Sequence, residues 1–248
     1  MIDLGHLKGQ TVAVLGLGKS GASAARALAA GGAAVLAWDD GRADASSGLD
    51  GVTISDLATA DFTDVAMLVL SPGIPRRHPA PHPAVIRAEA AGVPVVSDID
   101  LLAEARPGSH FLGITGTNGK STTTALIGHI LTHAGVPTQI GGNLGMPALT
   151  LKPLDGDGWY VLELSSYQLE TLSAPRFEIG VLINIAPDHL DRYAGIDDYA
   201  AAKRHLFALQ PDGATAVVGI DDRWSAATRE ELARQTRHRV VPISVTSA

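Results

Sequence analysis

The chain has 248 residues, 46% of them hydrophobic, which is enough for one large core or two ordinary ones. Its net charge of −7 argues against nucleic acid or an acidic membrane as the main partner, because both select basic surfaces. The absence of cysteine excludes disulfides, thiolate metal sites and a cysteine nucleophile. With neither a signal-like N-terminus nor an apolar stretch of membrane-spanning length, we predict a soluble cytoplasmic protein.

A nucleotide-binding pattern opens the chain. A strand is predicted at 11–15, and the next residues, GLGKSG at 16–21, match G-x-G-x-x-G. An alanine-rich helix follows, and then a second strand at 33–38 that ends in Asp39 and Asp40. A β-α-β unit with an acid about 20 residues beyond the glycines is typical of dinucleotide binding. A purely structural glycine turn is the alternative.

The remainder of the N-terminal half continues as alternating strands and helices. No element is predicted in the polar stretch 44–64. A buried strand at 65–70 ends in the rigid turn SPGIP, at the edge where open α/β sheets bind ligands. A plain connection is the alternative there. A helix, a strand and another helix follow at 84–91, 93–96 and 98–105. The turn-forming residues Arg106–Ser109 then predict a domain boundary.

A phosphate-binding loop is predicted at 114–124, ITGTNGKSTTT, between a buried strand and a helix. Gly116 and Gly119 would let backbone N–H groups converge at a helix N-terminus, which favours anions. Lys120 could reach phosphates and the Ser121 hydroxyl could bind magnesium. The pattern G-x-x-x-x-G-K-[ST] is missed because position 114 is Ile. A generic glycine turn is the alternative.

Four polar features follow in the second half. Asn143 lies in a glycine-rich loop at 141–145, and Glu163 lies inside an apolar strand at 159–164, where a carboxylate requires a partner or a metal. A strand at 179–183 leads into a cluster of charged residues around His189, which indicates a site. Lys203 follows on a helix that Asp197 or Asp198 could cap; spacing alone predicts that it is solvated.

Together these motifs resemble one family, the Mur ligases of peptidoglycan synthesis. The TGTNGKS loop is typical of Mur ligases and their folate-ligase relatives, and the SPGI and LELSSYQLE segments are similar to the member that adds D-glutamate. The resemblance rests on GLGKSG (16–21), SPGI (71–74), SDID (97–100), GITGTNGKSTTT (113–124), GGNLG (141–145), VLELSSYQLE (161–170) and INIAPDHLDRY (183–193).

The resemblance implies an α/β fold with two parts. A Rossmann-like parallel-sheet domain over 1–106 would bind the UDP end of a substrate. A phosphate-loop α/β domain over 107–248 would bind ATP. The family has a third, C-terminal domain that binds the incoming amino acid. We expect this chain to lack that domain and the last strands of the central one, and to be inactive alone.

The resemblance also implies a reaction. ATP phosphorylates the carboxylate of UDP-N-acetylmuramoyl-L-alanine, and the amino group of D-glutamate attacks the acyl phosphate. Lys120, His189 and Lys203 would be catalytic, with Lys203 carbamylated. Magnesium would be held by Ser121, Glu163, His189 and Lys203. ATP would be bound by Gly116, Thr117, Asn118, Gly119, Lys120, Ser121 and Thr122. The muramoyl substrate would be bound by Gly18, Lys19, Ser20, Asp40, Arg42, Ser71, Gly73 and Asn143.

Two other functions stay open at this stage. A nicotinamide-dependent dehydrogenase accounts for the glycines at 16–21 and for Asp39, but it leaves Lys120, Glu163 and His189 unexplained. A non-catalytic UDP-sugar-binding module accounts for the N-terminal half alone. We expect a monomer that binds neither nucleic acid nor membrane.

Overall fold

The computed structural model describes residues 1–41, 48–143, 145–173 and 177–246, and the chain divides into two compact units. Unit 1 comprises Met1–Pro107, Pro147–Pro153 and Thr171–Ser173. Unit 2 comprises Gly108–Met146, Leu154–Glu170 and Ala174–Ala248. The first division lies one residue beyond the predicted boundary. The two short central segments that belong to unit 1 are a feature that the sequence pattern did not indicate.

Unit 1 is built on a five-stranded parallel sheet in the order β3-β2-β1-β4-β5. Its strands are β1 (Thr11–Leu15), β2 (Ala34–Trp38), β3 (Val52–Ile54), β4 (Val65–Leu70) and β5 (Val95–Val96). Its helices are α1 (Lys19–Ala30), α2 (Pro83–Ala90) and α3 (Asp98–Ala105). Strand β3 lies in the stretch for which no element was predicted, and α1 begins at Lys19, inside the glycine pattern that the helix was expected to follow. Apolar side chains of β1, β4 and α2 form the core beneath the sheet.

The register of unit 1 brings three loops to one edge of the sheet. Leu15, the last residue of β1, pairs with Trp38 of β2 and with Leu70 of β4. The three strands therefore end level, and the residues that follow them are neighbours. The chain order reverses between β1 and β4, which is the position where open parallel sheets form a crevice for ligands.

Unit 2 contains a six-stranded parallel sheet in the order β11-β10-β9-β6-β8-β7. Its strands are β6 (His110–Thr115), β7 (Thr138–Gly142), β8 (Trp159–Glu163), β9 (Ile179–Leu182), β10 (Thr215–Gly219) and β11 (Arg239–Ile243). Its helices are α4 (Lys120–His133), α5 (Ser166–Thr171), α6 (Ile196–Ala208) and α7 (Arg223–Gln235). Strand β6 lies between β8 and β9, so the loop after β6 is flanked by the ends of both.

Local details of unit 2 differ from the sequence-based expectations. Gly141 and Gly142, predicted as loop, end strand β7. The N-cap of α6 is Gly195, so neither Asp197 nor Asp198 caps it; both lie in the first turn, where carboxylates favour the helix dipole. Gly113 lies inside β6. A side chain is disfavoured at this position because a Cβ would come within 2.7 Å of Leu206 on α6.

Among the described residues, the helices are all too short or too polar to cross a lipid bilayer.

The glycine loop of unit 1 yields a first prediction. A Cβ at Gly21 would lie 1.7 Å from the Gly16 carbonyl oxygen, whereas one at Gly18 would meet nothing within 4 Å. We expect Gly21→Ala to lower the free energy of unfolding by about 1–3 kcal/mol or more, because backbone atoms must move. Gly18→Ala is the matched control and should cost less than about 1 kcal/mol. Urea denaturation compares them, and equal stabilities would contradict the tight packing.

Candidate active site

The loop after β6 has the backbone of an anion-binding turn. Gly116 has φ +152° and Gly119 has φ +84°, conformations that side-chain-bearing residues rarely adopt. The loop ends at Lys120, where α4 begins. The first N–H groups of an α-helix have no partner within the helix, so this turn presents donors and a partial positive charge to a ligand. Ser121 and Thr122 lie exposed on the same turn.

Asn184, just beyond β9, holds this loop in shape. Its carbonyl oxygen accepts from the Thr117 N–H at 2.9 Å, and its side-chain oxygen accepts from the Asn118 N–H at 2.9 Å. Its amide nitrogen donates to the Asn118 carbonyl oxygen at 3.1 Å. The Thr117 hydroxyl also accepts from the Ala186 N–H at 3.0 Å. Sequence reasoning missed Asn184, although an amide directly after a strand beside the loop was an available signal.

Two lysines converge on one carbonyl oxygen in the loop. Lys120 Nζ donates to the Gly116 oxygen at 3.0 Å and to the Thr117 oxygen at 2.9 Å. Lys203 Nζ donates to the same Gly116 oxygen at 2.8 Å. Lys203 also lies 4.4 Å from the centre of the Tyr199 ring. The structure therefore brings together these two predicted catalytic residues.

Lys203 is buried, which corrects the expectation from spacing that it is solvated. Only 1% of its surface is exposed. Burial, and then the charge of Lys120, lower the pKa of Lys203 to about 7, while Asp188 opposes the shift. A substantial fraction of Lys203 is therefore an uncharged amine near neutral pH.

Glu163 ends β8 beside the loop and is 2% exposed. Its Oε1 accepts from the Asn143 amide at 2.7 Å. Its Oε2 is buried without a hydrogen-bond partner among the described residues. A buried carboxylate oxygen in that state is costly unless a cation or donor reaches it, so this position fits a divalent metal.

The described part of the chain contains no group of three or more His, Cys, Asp or Glu side chains that could hold a metal by themselves. This is compatible with magnesium, which is commonly bound by one or two protein ligands together with phosphates and water.

His189 lies on the other flank of the loop, after β9. It adopts a left-handed backbone with φ 52°, and its Nε2 is 3.5 Å from Asp188. Its ring lies 5.3 Å from that of Tyr167, and the Arg192 guanidinium lies 4.4 Å from the centre of the same tyrosine ring. Half of the His189 side chain is exposed. Among the described contacts it joins this aromatic cluster and not Glu163.

A second candidate site lies at the carboxyl edge of the sheet in unit 1. The Ser71 hydroxyl donates to the Gly16 carbonyl oxygen at 2.7 Å. Asp39 Oδ2 accepts from the Leu17 N–H at 2.6 Å, and its Oδ1 accepts from the Gly41 N–H at 3.0 Å. Asp39 is therefore engaged in holding the glycine loop, so its carboxylate is less available to a dinucleotide, which disfavours the dehydrogenase alternative.

The other predicted residues of unit 1 surround this loop. Gly18 and Lys19 are exposed at the start of α1, and Ser20 is partly buried. Gly73 is exposed in the turn after β4. Arg42 lies outside the described residues.

Asp98 is a buried acid of unit 1 that sequence reasoning did not select. It is 3% exposed, and burial raises the pKa of this carboxyl group to about 6. The Ser20 hydroxyl and the Ala148 N–H face it and oppose the shift, although neither contact has the geometry of a full hydrogen bond. Asp98 thus lies directly behind the predicted substrate loop.

Comparison with known proteins identifies the family. The Mur ligase middle domain matches residues 114–248, and the N-terminal domain of MurD-like Mur ligases matches residues 10–97. The chain therefore belongs to the Mur ligase family.

The curated relatives with about 50% sequence identity share one name. The chain is 52% identical to a UDP-N-acetylmuramoylalanine–D-glutamate ligase of Paramagnetospirillum magneticum, over 100% of this chain and 54% of the relative. It is 50% identical to a ligase of the same name from Rhodospirillum rubrum, over 98% of this chain and 52% of the relative. The chain thus spans about half the length of these proteins.

Solved structures support the fold. A UDP-N-acetylmuramate:L-alanyl-γ-D-glutamyl-meso-diaminopimelate ligase from Neisseria meningitides has a TM-score of 0.61 at 19% identity, covering 94% of this chain and 78% of that one. A MurF ligase from Thermotoga maritima in complex with ADP has a TM-score of 0.50 at 15% identity, covering 100% of this chain and 50% of that one. The predicted α/β class with parallel sheets is confirmed.

The burial of Lys203 yields a second prediction. Its folded-state pKa of about 7 lies below the ordinary lysine value of 10.5, so the unfolded chain binds more protons between those values. Stability should therefore rise with pH from 7 towards 10, by at most about 1.4 kcal/mol per pH unit. Lys203→Met should lose this rise.

Urea denaturation of the whole chain at pH 7, 8.5 and 9.5, in buffer purged of carbon dioxide, measures the effect. Lys152→Met, which replaces an exposed lysine, is the control and should keep the pH dependence of the unsubstituted chain. If Lys203→Met also keeps it, the amine is not buried as described.

Proposed function

We propose that this chain supplies the substrate-binding and ATP-binding units of a ligase that joins D-glutamate to UDP-N-acetylmuramoyl-L-alanine in peptidoglycan precursor synthesis. The observation that carries the proposal is the phosphate loop of unit 2. Two lysines meet there at Gly116, and one oxygen of the buried Glu163 has no hydrogen-bond partner among the described residues. The name shared by the relatives at about 50% identity supports the choice of amino acid and acceptor.

The proposed reaction has two steps. A carboxylate oxygen of the muramoyl-alanine attacks the γ-phosphorus of ATP, ADP leaves, and an acyl phosphate forms. The D-glutamate amine then attacks the acyl carbon, phosphate leaves, and the nitrogen loses a proton. Both steps require charge on the transferring phosphoryl group to be neutralised while two anions are held together.

The residues of unit 2 have separate parts in this scheme. Lys120 would leave the Gly116 and Thr117 carbonyl oxygens and donate to the phosphates, while the first turn of α4 offers its N–H groups. Ser121 and Glu163 Oε2 would hold one magnesium ion. When bound, this ion would offset phosphate charge. His189 would serve a second metal position, and Asn143 would orient Glu163 and contact the muramoyl substrate.

Lys203 has the chemistry that a carbamate requires. An uncharged amine adds through nitrogen to carbon dioxide and releases one proton, which gives a carboxylate in place of a cation. The lowered pKa of Lys203 makes that amine available near neutral pH. The product would be an anionic metal partner beside Gly116.

Unit 1 would hold the UDP end of the substrate. Gly18, Lys19 and Ser20 lie at the N-terminus of α1, which favours a diphosphate. Ser71 and Gly73 lie beside them at the end of β4. Asp40 would face the uridine. Because ATP is a substrate, we place the protein in the cytoplasm, and we expect a monomer.

The third prediction tests the phosphate loop. Lys120→Ala should weaken binding of a non-hydrolysable ATP analogue by about 10- to 100-fold, because one charge-assisted hydrogen-bonding group is lost. Binding of UDP-N-acetylmuramoyl-L-alanine, whose UDP end is assigned to the other unit, should be unchanged and serves as the control. Calorimetric titration measures both ligands. Unaltered nucleotide affinity would refute the assignment, and tight NADH binding without UDP binding would favour a dehydrogenase.

The fourth prediction concerns the metal. Glu163→Gln keeps the size of the side chain but removes its charge, so nucleotide binding should require about tenfold more magnesium. Glu178→Gln is the matched control, because Glu178 bonds to the Phe111 N–H near the opposite end of β6. Titrating magnesium at fixed nucleotide compares the two variants. An identical magnesium requirement in both would count against a metal at Glu163.

A further inference from the structure

Two adjacent acids at the end of β2 have different roles in the structure. Both oxygens of Asp39 accept backbone N–H groups, one from Leu17 and one from Gly41. Asp39 is thus part of the frame that holds the glycine loop. Asp40 instead contacts the side chains of Trp38 and His82.

Asp40 is held by two side chains and remains open to solvent. Its Oδ1 accepts from Trp38 Nε1 at 2.7 Å, and its Oδ2 lies 2.9 Å from His82 Nε2. Its side chain is 60% exposed, while that of His82 is only 11% exposed. The hydrogen bonds from His82 and then Trp38 lower the pKa of Asp40. An ionised carboxylate has about four acceptor positions, and the described residues occupy two of them, which leaves roughly two for a ligand.

His82 has a defined tautomer because it also caps a helix. It is the N-cap of α2, and its Nδ1 accepts from the Ala84 N–H at 3.1 Å. Nδ1 therefore carries no proton in this arrangement, and the ring proton of neutral imidazole is on Nε2. His82 must donate to Asp40. A largely buried ring thus links the start of α2 to an exposed carboxylate 42 residues away.

We propose that His82 is a positioning residue for the base end of the UDP ligand, acting through Asp40. It holds the Asp40 carboxylate in one orientation so that its free lone pairs can accept an N–H group of the uracil ring. The inference rests on the proposed function, because it takes uridine diphosphate as the ligand of unit 1. His82 itself need not touch the ligand.

The two ring nitrogens of His82 can be tested separately. Asparagine can place an acceptor near the position of Nδ1, and glutamine can place a donor near the position of Nε2. His82→Asn therefore keeps the helix cap and loses the contact with Asp40. His82→Gln keeps the contact and loses the cap. If His82 only caps the helix, asparagine should preserve its role better than glutamine. If His82 positions Asp40, glutamine should preserve its role better than asparagine.

The experiment is calorimetric titration of the chain and its variants with UDP, together with thermal denaturation. We expect His82→Asn to raise the Kd for UDP about tenfold with an unchanged melting temperature. His82→Gln should bind UDP within about twofold of the unsubstituted chain but melt at a lower temperature. In the Asp40→Ala background, His82→Asn should have no further effect on the Kd.

The outcomes separate the inference from the proposed function. If the unsubstituted chain binds UDP and His82→Asn binds it equally well, the positioning role is wrong and the proposed function stands. If the effects of Asp40→Ala and His82→Asn add, His82 does not act through Asp40. If the unsubstituted chain does not bind UDP, both the proposed function and this inference fail.

Discussion

The Gly116 carbonyl oxygen is the point on which the candidate active site depends, because it accepts hydrogen bonds from two lysine ammonium groups. Two like charges so close together repel, and one of them is buried. The electrostatic cost of this repulsion falls if one of the two lysines loses its proton. The pKa of Lys203 is lowered, which favours loss of the proton there. An arriving phosphate would relieve the same repulsion by attracting Lys120. The site is therefore electrostatically prepared for an anion.

The two units hold their glycine loops by the same device. In each, a strand runs into a glycine loop and then into a helix, and side chains from neighbouring strand ends bind the backbone of the loop. Asp39 and Ser71 do this in unit 1, and Asn184 does it in unit 2. The loop backbone is thereby fixed on the side away from the ligand. The first turn of the following helix remains available to bind the ligand. Parallel sheets make this possible because their strand ends are level at one edge.

Most strands and helices could be predicted because their signals are local. Buried apolar runs, turn residues and glycine patterns placed β1, β4 and α3 at the bounds that the structure has. The burial of Lys203 could not be predicted in this way. It depends on α6 packing across β6, where Gly113 has no side chain and Leu206 approaches closely. Helical spacing carries no information about that contact.

The same distinction applies to the candidate sites. The phosphate loop could be identified from its glycines and Lys120, since the relevant residues are consecutive. Asn184 and His82 could not, because each acts on a residue more than 40 positions away. Asp39 and Asp40 are adjacent and chemically identical, and they differ only in their hydrogen bonds. Asp39 binds the backbone of the glycine loop, whereas Asp40 binds Trp38 and stays exposed.

Net charge is a poor guide to ligands in such a protein. A chain of charge −7 is proposed to bind two polyanions, UDP and ATP. This is consistent because backbone N–H groups at helix N-termini and a few placed lysines create positive potential over short distances, while the remaining charges are screened by salt. Glu163 adds a negative charge to the same site, which is unfavourable for a bare phosphate. The Oε2 atom of Glu163 has no partner among the described residues, and its charge favours phosphate binding only if a cation lies between the two. Anion binding and metal binding in unit 2 should therefore be coupled, since each reduces the electrostatic cost of the other.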